Sequence, residues 1–236
     1  MKIPLAQRLA AEWIGTAFLV AAVVGSGIMG ERLSGGNAAL ALLTNTIATG
    51  AALAALILAL GPISSAHFNP VVTLSDAWLG AMPWRETPAY IACQVFGGIS
   101  GTCAAHLMFG LPIISLSHHV RSGAAQIFSE FIATFGLILV ILCCSRLRSN
   151  VTAFAVGGYI AAAYWFTAST SFANPAVTIA RSLSNTFSGI RPADSPGFIA
   201  AQLVGGFLAT LAFRWLASGS RFTKSAVSNH ATYQTR

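Results

Sequence analysis

Apolar runs separated by short polar stretches organise the chain from end to end, and six of them are long enough to cross a bilayer as helices: 9–29, 38–60, 88–109, 126–144, 151–168 and 196–217. A span needs about 20 residues, each rising about 1.5 Å, to match a hydrocarbon core of about 30 Å. Two further apolar pieces, 70–79 and 175–183, have half that length, and each follows an Asn-Pro, at Asn69-Pro70 and Asn174-Pro175. Helices of that size reach the midplane and stop.

The halves repeat each other. Glu12-Trp13-Ile14-Gly15-Thr16 is answered by Glu130-Phe131-Ile132-Ala133-Thr134, and Asn69-Pro70-Val71-Val72-Thr73 by Asn174-Pro175-Ala176-Val177-Thr178. Gln94 with Gly97-Gly98 is answered by Gln202 with Gly205-Gly206. The three separations are 118, 105 and 108 residues, so order is kept and loop lengths differ. The first copy covers about 8–109 and the second about 124–217, leaving 218–236 as a cytoplasmic tail of one membrane domain, 1–236. Each copy holds three spans, an odd number, so the second enters from the opposite side and the repeats are inverted. The expected fold is therefore all-α and integral to the membrane, with six transmembrane helices and two re-entrant half-helices. Broken backbone at midplane depth needs protein or a wet cavity around it, which predicts a central pore.

Composition agrees. Only 13 Lys+Arg and 6 Asp+Glu occur in 236 residues, 8% of the chain, against about 25% in soluble domains. The +7 balance is scattered rather than gathered into a basic stripe, which excludes a nucleic-acid partner. Cys93, Cys103, Cys143 and Cys144 fall inside apolar segments with no zinc-ligand or disulfide spacing, so no metal and no cofactor is expected. Lys2 and Arg8 precede the first apolar run as in a signal peptide, but its length and the leading Glu12 read as an uncleaved span. A cytoplasmic N-terminus places Lys2, Arg8, Arg85, Arg146, Arg148, Arg214, Arg221, Lys224 and Arg236 inside and only Arg32, Arg121, Arg181 and Arg191 outside. The positive-inside bias then puts both termini in the cytoplasm, and the chain in the plasma (inner) membrane.

Asparagine is a strong N-cap and proline suits the first helical position. With its oxygen held by backbone N–H groups, each Asn aims its NH₂ at the lumen as a fixed donor. Two such donors, with two half-helix dipoles meeting between them, repel cations and orient a neutral solute against proton relay. Passive conduction of uncharged hydroxylated molecules is the predicted chemistry. A proton-coupled transporter is the reading from another class, since inverted repeats and broken helices serve there as well. An enzyme finds no support, because no Ser/His, paired Asp or metal-ligand set converges on one face.

On the stretch from Ile63 to Val71, on Asn174-Pro175-Ala176, and on Glu12, Glu130 and the Gln/Gly-Gly pairs, the chain resembles the aquaporin, or major intrinsic protein, family over nearly its whole length. The resemblance implies an hourglass channel assembled as a homotetramer with one pore per subunit. It assigns the pore centre to Asn69, Pro70, Val71, Asn174, Pro175 and Ala176. Carried over by offset from the two Asn residues, the selectivity filter falls on Thr49, Ala162, Ser171 and Val177. The family's filter Arg is replaced by Val177, and no aromatic or His neighbour is expected. Such a ring is wide and weakly polar, suited to bulkier neutral solutes rather than to water alone. The pattern from Tyr164 to Asn174 and Ala180-Arg181 is similar to the bacterial AqpS-type aquaglyceroporins associated with arsenic-resistance genes, which implies glycerol-sized polyols and neutral metalloids such as arsenous acid or methylated arsenicals. A channel mainly for water is the alternative.

Arg181, one helical turn beyond Val177, either rims the outer vestibule, reaches back to the filter, or snorkels to the interface. Glu12 and Glu130 support the unwound loops by accepting backbone hydrogen bonds, with a proton relay as the other reading, and His67 braces the first loop, with a pH gate as the other reading. Asp76 pairs locally or faces the cytoplasmic vestibule. His118-His119 and Cys143-Cys144 read as exposed loop and packing residues rather than metal or arsenic ligands. Ser65 and Val71 stand where the family keeps Gly and Ala.

Overall fold

A computed structural model describes residues 3–147 and 149–218; Lys2, Arg148, Arg221, Lys224, Arg236 and the tail beyond Ser218 lie outside the described residues. The chain runs through α1 (Leu5–Leu33), α2 (Ala38–Ser64), α3 (Pro70–Trp78), α4 (Thr87–Met108), α5 (Ala124–Leu147), α6 (Thr152–Phe166), α7 (Pro175–Ser182) and α8 (Ser195–Ser218). Five of these are long and apolar enough to cross a membrane. The sixth expected span, 151–168, is the shortest, a helix of 15 residues entered through a 3-10 turn at Ser149–Val151. It ends at Phe166, where Thr167 turns extended while its hydroxyl bonds back to the Ala163 carbonyl, and Ser169 turns away to Glu130.

The packing follows the repeat. Helix α1 packs on α2 and α4, while α5 packs on α6 and α8, and α2 meets α6 where the copies join. Half-helix α3 rests on α4 and α8, and α7 on α8 and α4. The glycine pairs permit the tightest crossings. A Cβ at Gly205 would stand 2.6 Å from the Phe131 carbonyl, and one at Gly97 would collide with the Trp13 carbonyl. Outward faces carry Phe18, Ile47, Phe96, Phe154 and Trp215, all exposed, whereas Glu12, Gln94, Glu130 and Gln202 are wholly buried. Apolar groups outside and polar groups inside reverse the soluble pattern, as lipid requires.

Candidate functional site

Both half-helices start by the same local chemistry. Asn69 Oδ1 accepts from the Val71 amide at 2.9 Å, and Asn174 Oδ1 accepts from those of Ala176 and Val177 at 3.0 and 3.3 Å. Pro70 and Pro175 occupy the first helical position, where a missing N–H removes no bond. The two N-caps then bridge each other. Asn69 Nδ2 donates to the Ala173 carbonyl and Asn174 Nδ2 to the Phe68 carbonyl, each at 2.8 Å. An amide NH₂ has two hydrogens, so each Asn ties one to the opposite loop and keeps a second. The expectation of a wholly free lumenal NH₂ is refined: the bridge fixes the direction of the remaining hydrogen.

The loops before the Asn residues are held open against their preference. Ser65, Ala66 and Phe68 have φ of 73°, 49° and 49°, and Thr170, Ser171 and Ala173 have 60°, 49° and 48°. Each lies 105 residues from its counterpart. For residues with a Cβ this region costs about 1–2 kcal/mol apiece, so something must hold it. Glu12 accepts from Ser64 Oγ, the His67 and Phe68 amides and Gln94 Nε2 at 2.7, 2.9, 2.8 and 2.8 Å. Glu130 accepts from Ser169 Oγ, the Phe172 and Ala173 amides and Gln202 Nε2 at 2.6, 2.9, 2.9 and 2.6 Å. The same Gln side chains also reach Thr73 and Thr178 in the half-helices. Loop, half-helix and two long helices thus meet at one carboxylate in each repeat.

One cavity of about 270 Å³ runs beside the junction. Asn69 and Asn174 line it together with symmetry mates such as Leu19 and Leu137, Val23 and Ile141, and Val72 and Val177. Because the half-helices leave the junction in opposite directions, α3 carries the wall toward one mouth, with His67 and Asp76, and α7 toward the other, with Phe172 and Arg181. At the first mouth His67 Nδ1 pairs with Thr73 Oγ1 at 3.1 Å and Nε2 with Asp76 Oδ2 at 2.9 Å. At the second, Arg181 is 1% exposed, its Nε donates to the Ser188 carbonyl, and its guanidinium lies 3.4 Å from the centre of the Phe172 ring. A head group so enclosed does not snorkel.

Three of the four filter positions expected from sequence, Thr49, Ser171 and Val177, line this cavity. The fourth does not: Ala162 is exposed and outside the wall. Counting back from Asn174 assumed a helix phase that α6 does not keep. Its cavity face runs Thr152, Val156, Ile160 and Tyr164, four residues apart, and Ala162 stands about 140° from the middle of that face. Tyr164 therefore stands on the wall, and its hydroxyl donates to Thr49 Oγ1 at 3.2 Å. The expected absence of aromatic and cationic neighbours is corrected as well, since Tyr164, Phe172 and Arg181 line the same cavity as Val177.

Arg121 is the residue that sequence reasoning missed. Counted only as a charge outside the membrane, it is buried and donates to the carbonyls of Gly189, Ser169 and Phe187 and to Thr170 Oγ1. Its guanidinium also lies 5.2 Å from the Phe172 ring centre, so that ring meets two cations. Burial pushes its pKa down to about 10, which leaves it charged at neutral pH. The one signal in the sequence was an Arg with no acid within several residues. Val71 fills a notch opposite Gly206, where a Cβ would overlap Val71 Cγ1. No group of three or more His, Cys, Asp or Glu suited to a metal ion occurs among the described residues.

The family described as Major intrinsic protein matches residues 1–152 and 145–236. The chain is 54% identical over 217 residues to "Aquaglyceroporin AqpS" of Rhizobium meliloti (strain 1021), covering 92% of this chain and 93% of that one. It is 33% identical over 190 residues to "Aquaporin NIP1-4" of Oryza sativa subsp. japonica, covering 78% and 68%. The X-ray structure of the aquaglyceroporin from Plasmodium falciparum superposes with a TM-score of 0.69 at 19% identity, covering 88% of this chain and 95% of that one, a likeness of fold.

Proposed function

This chain belongs to the major intrinsic protein family and is a multi-pass membrane channel, not an enzyme, and on that premise we propose that it conducts small uncharged solutes passively through the central cavity. The observation that carries the reading is the reciprocal bridge from Asn69 and Asn174 to each other's loops, beside one cavity that both Asn residues line. The remaining amide hydrogen of each Asn offers a donor to a passing oxygen, and the N-termini of α3 and α7 hold positive potential there. A solute accepting both bonds is turned so that its own hydrogens point away from the junction, which interrupts proton transfer. Cations are disfavoured by the same field.

The solutes we assign are water, glycerol-sized polyols and neutral metalloids such as arsenous acid or methylated arsenicals. Identity of 54% to a relative named as an aquaglyceroporin supports the polyol part. Thr49, Ser171 and Val177 form the filter, Arg181 borders it toward the α7 mouth, and Glu12, Glu130 and His67 hold the loops. The channel works as a homotetramer in the plasma membrane with both termini cytoplasmic. One observation favours the second reading, a pore mainly for water: Tyr164, Phe172 and Arg181 add bulk beside Val177.

Reconstitution into liposomes separates these readings. Light scattering under gradients of water, glycerol and a neutral metalloid is expected to give solute rates well above protein-free vesicles, unchanged by a protonophore. High water flux with no solute flux would favour the second reading. Loss of solute uptake on adding the protonophore would point to a coupled transporter instead.

A further inference from the structure

Between α2 and α6, at the level of the filter, two hydroxyl side chains meet across a helix seam. Tyr164 Oη donates to Thr49 Oγ1 at 3.2 Å, both residues are buried, and both line the cavity. The backbones beneath them are already in contact, since a Cβ at Gly157 would stand 2.6 Å from the Gly50 carbonyl. The seam therefore cannot tighten, and the width of the pore here depends on where the Tyr164 ring rests. The other bulky ring on the wall is held by more contacts, because the centre of Phe172 lies 3.4 and 5.2 Å from the guanidinium groups of Arg181 and Arg121 and the ring packs edge-on against Phe198. The remaining filter residues, Thr49, Ser171 and Val177, are small. Tyr164 is the large side chain whose position one hydrogen bond decides.

We infer that Tyr164, clasped to Thr49, sets the size cut-off of the pore in the place where counting from Asn174 had put Ala162. This rests on the reading of the cavity as a solute pathway. The clasp keeps the ring against α2 and gives each passing solute the same aperture. Without the hydroxyl the ring is still present but no longer held, and without the ring the aperture is left to the smaller residues of the wall.

The test is a polyol ladder of three to six carbons, measured by stopped-flow light scattering in liposomes carrying the full chain and normalised to folded protein. Tyr164→Ala is expected to raise the five-carbon to glycerol permeability ratio by about fivefold or more. Tyr164→Phe and Thr49→Val are expected to raise it equally, by about twofold, with the double variant no higher, because both remove one bond. Ala162→Trp, on the exposed face, is expected to leave the ladder unchanged. The conservative pair carries the test if Tyr164→Ala does not fold. Glycerol flux in the parent with the same ladder in the Tyr164 variants would overturn the inference alone. A ladder shortened by Ala162→Trp would overturn it too, by returning the filter to that position. A parent that passes no polyol would overturn both the inference and the proposed function.

Discussion

Residues 64–68 hang from Glu12 and residues 169–173 from Glu130 by the same four kinds of hydrogen bond, yet the side chains that the two loops present to the cavity differ in kind. His67 and Phe172 occupy equivalent positions, 105 residues apart, as do Asp76 and Arg181. One mouth therefore has an imidazole paired with a carboxylate, and the other a phenyl ring stacked under a guanidinium. Even the backing ring is matched, with Tyr90 5.7 Å from His67 and Phe198 5.2 Å from Phe172. The duplication has kept what the backbone needs and varied what a solute meets. The reason is physical: a left-handed loop at midplane depth has few ways to satisfy its amides, whereas a wall position tolerates any side chain that fits.

The equivalence of the braces is broken most directly by Glu12→Ala and Glu130→Ala. Each leaves two buried amides, a hydroxyl and a Gln side chain without their acceptor, at a cost on the order of 3–5 kcal/mol. Both variants are expected to lose folded protein to a similar degree, read as yield and thermal unfolding midpoint in detergent. Tolerance of one and not the other would show that the loops are not braced alike.

Next in size is the filter side of the comparison. Val177→Arg adds a cation and a long side chain to the α7 mouth and is expected to cut glycerol permeability about tenfold while sparing water. If solute selectivity is unchanged, Val177 is not in the filter. The opposed charges give a smaller difference. Arg181→Gln releases Phe172 from one of its two cations and is expected to shift the glycerol to water ratio about threefold, whereas Asp76→Asn, at the other mouth, shifts it less than about twofold. Equal shifts would mean that the two mouths select alike. The smallest effect concerns the centre: Val71→Ala empties the notch opposite Gly206, which is expected to lower stability by about 1–2 kcal/mol and leave permeability unchanged.

Much of this architecture could be read from residue order. Half-length apolar pieces opened by Asn-Pro, and Glu and Gln at matching places in each copy, prefigured α3, α7 and the carboxylates beneath the loops. Such features depend on spacing along one element, which a sequence displays. What escaped reading depends on phase and on contacts between distant segments. The phase of α6 puts Ala162 outward and Tyr164 inward, a shift of two residues that no count from Asn174 reveals. Arg121 reaches Ser169, Phe187 and Gly189 from a loop whose sequence has no regular period. Arg181 was legible as a residue one turn beyond Val177, but its stacking on Phe172 follows from the loop geometry that brings residue 172 back beside α7.

The central claim is that neutral solute passes the Asn69–Asn174 junction while protons do not. Liposomes carrying the full chain and an entrapped pH dye test both halves at once, with a glycerol gradient imposed in one run and a pH gradient under a clamped membrane potential in the next. Glycerol-driven scattering faster than in protein-free vesicles, with dye relaxation no faster than in those vesicles, is the expected result. Dye relaxation that rises with protein content, or glycerol rates equal to those of empty vesicles, would contradict it.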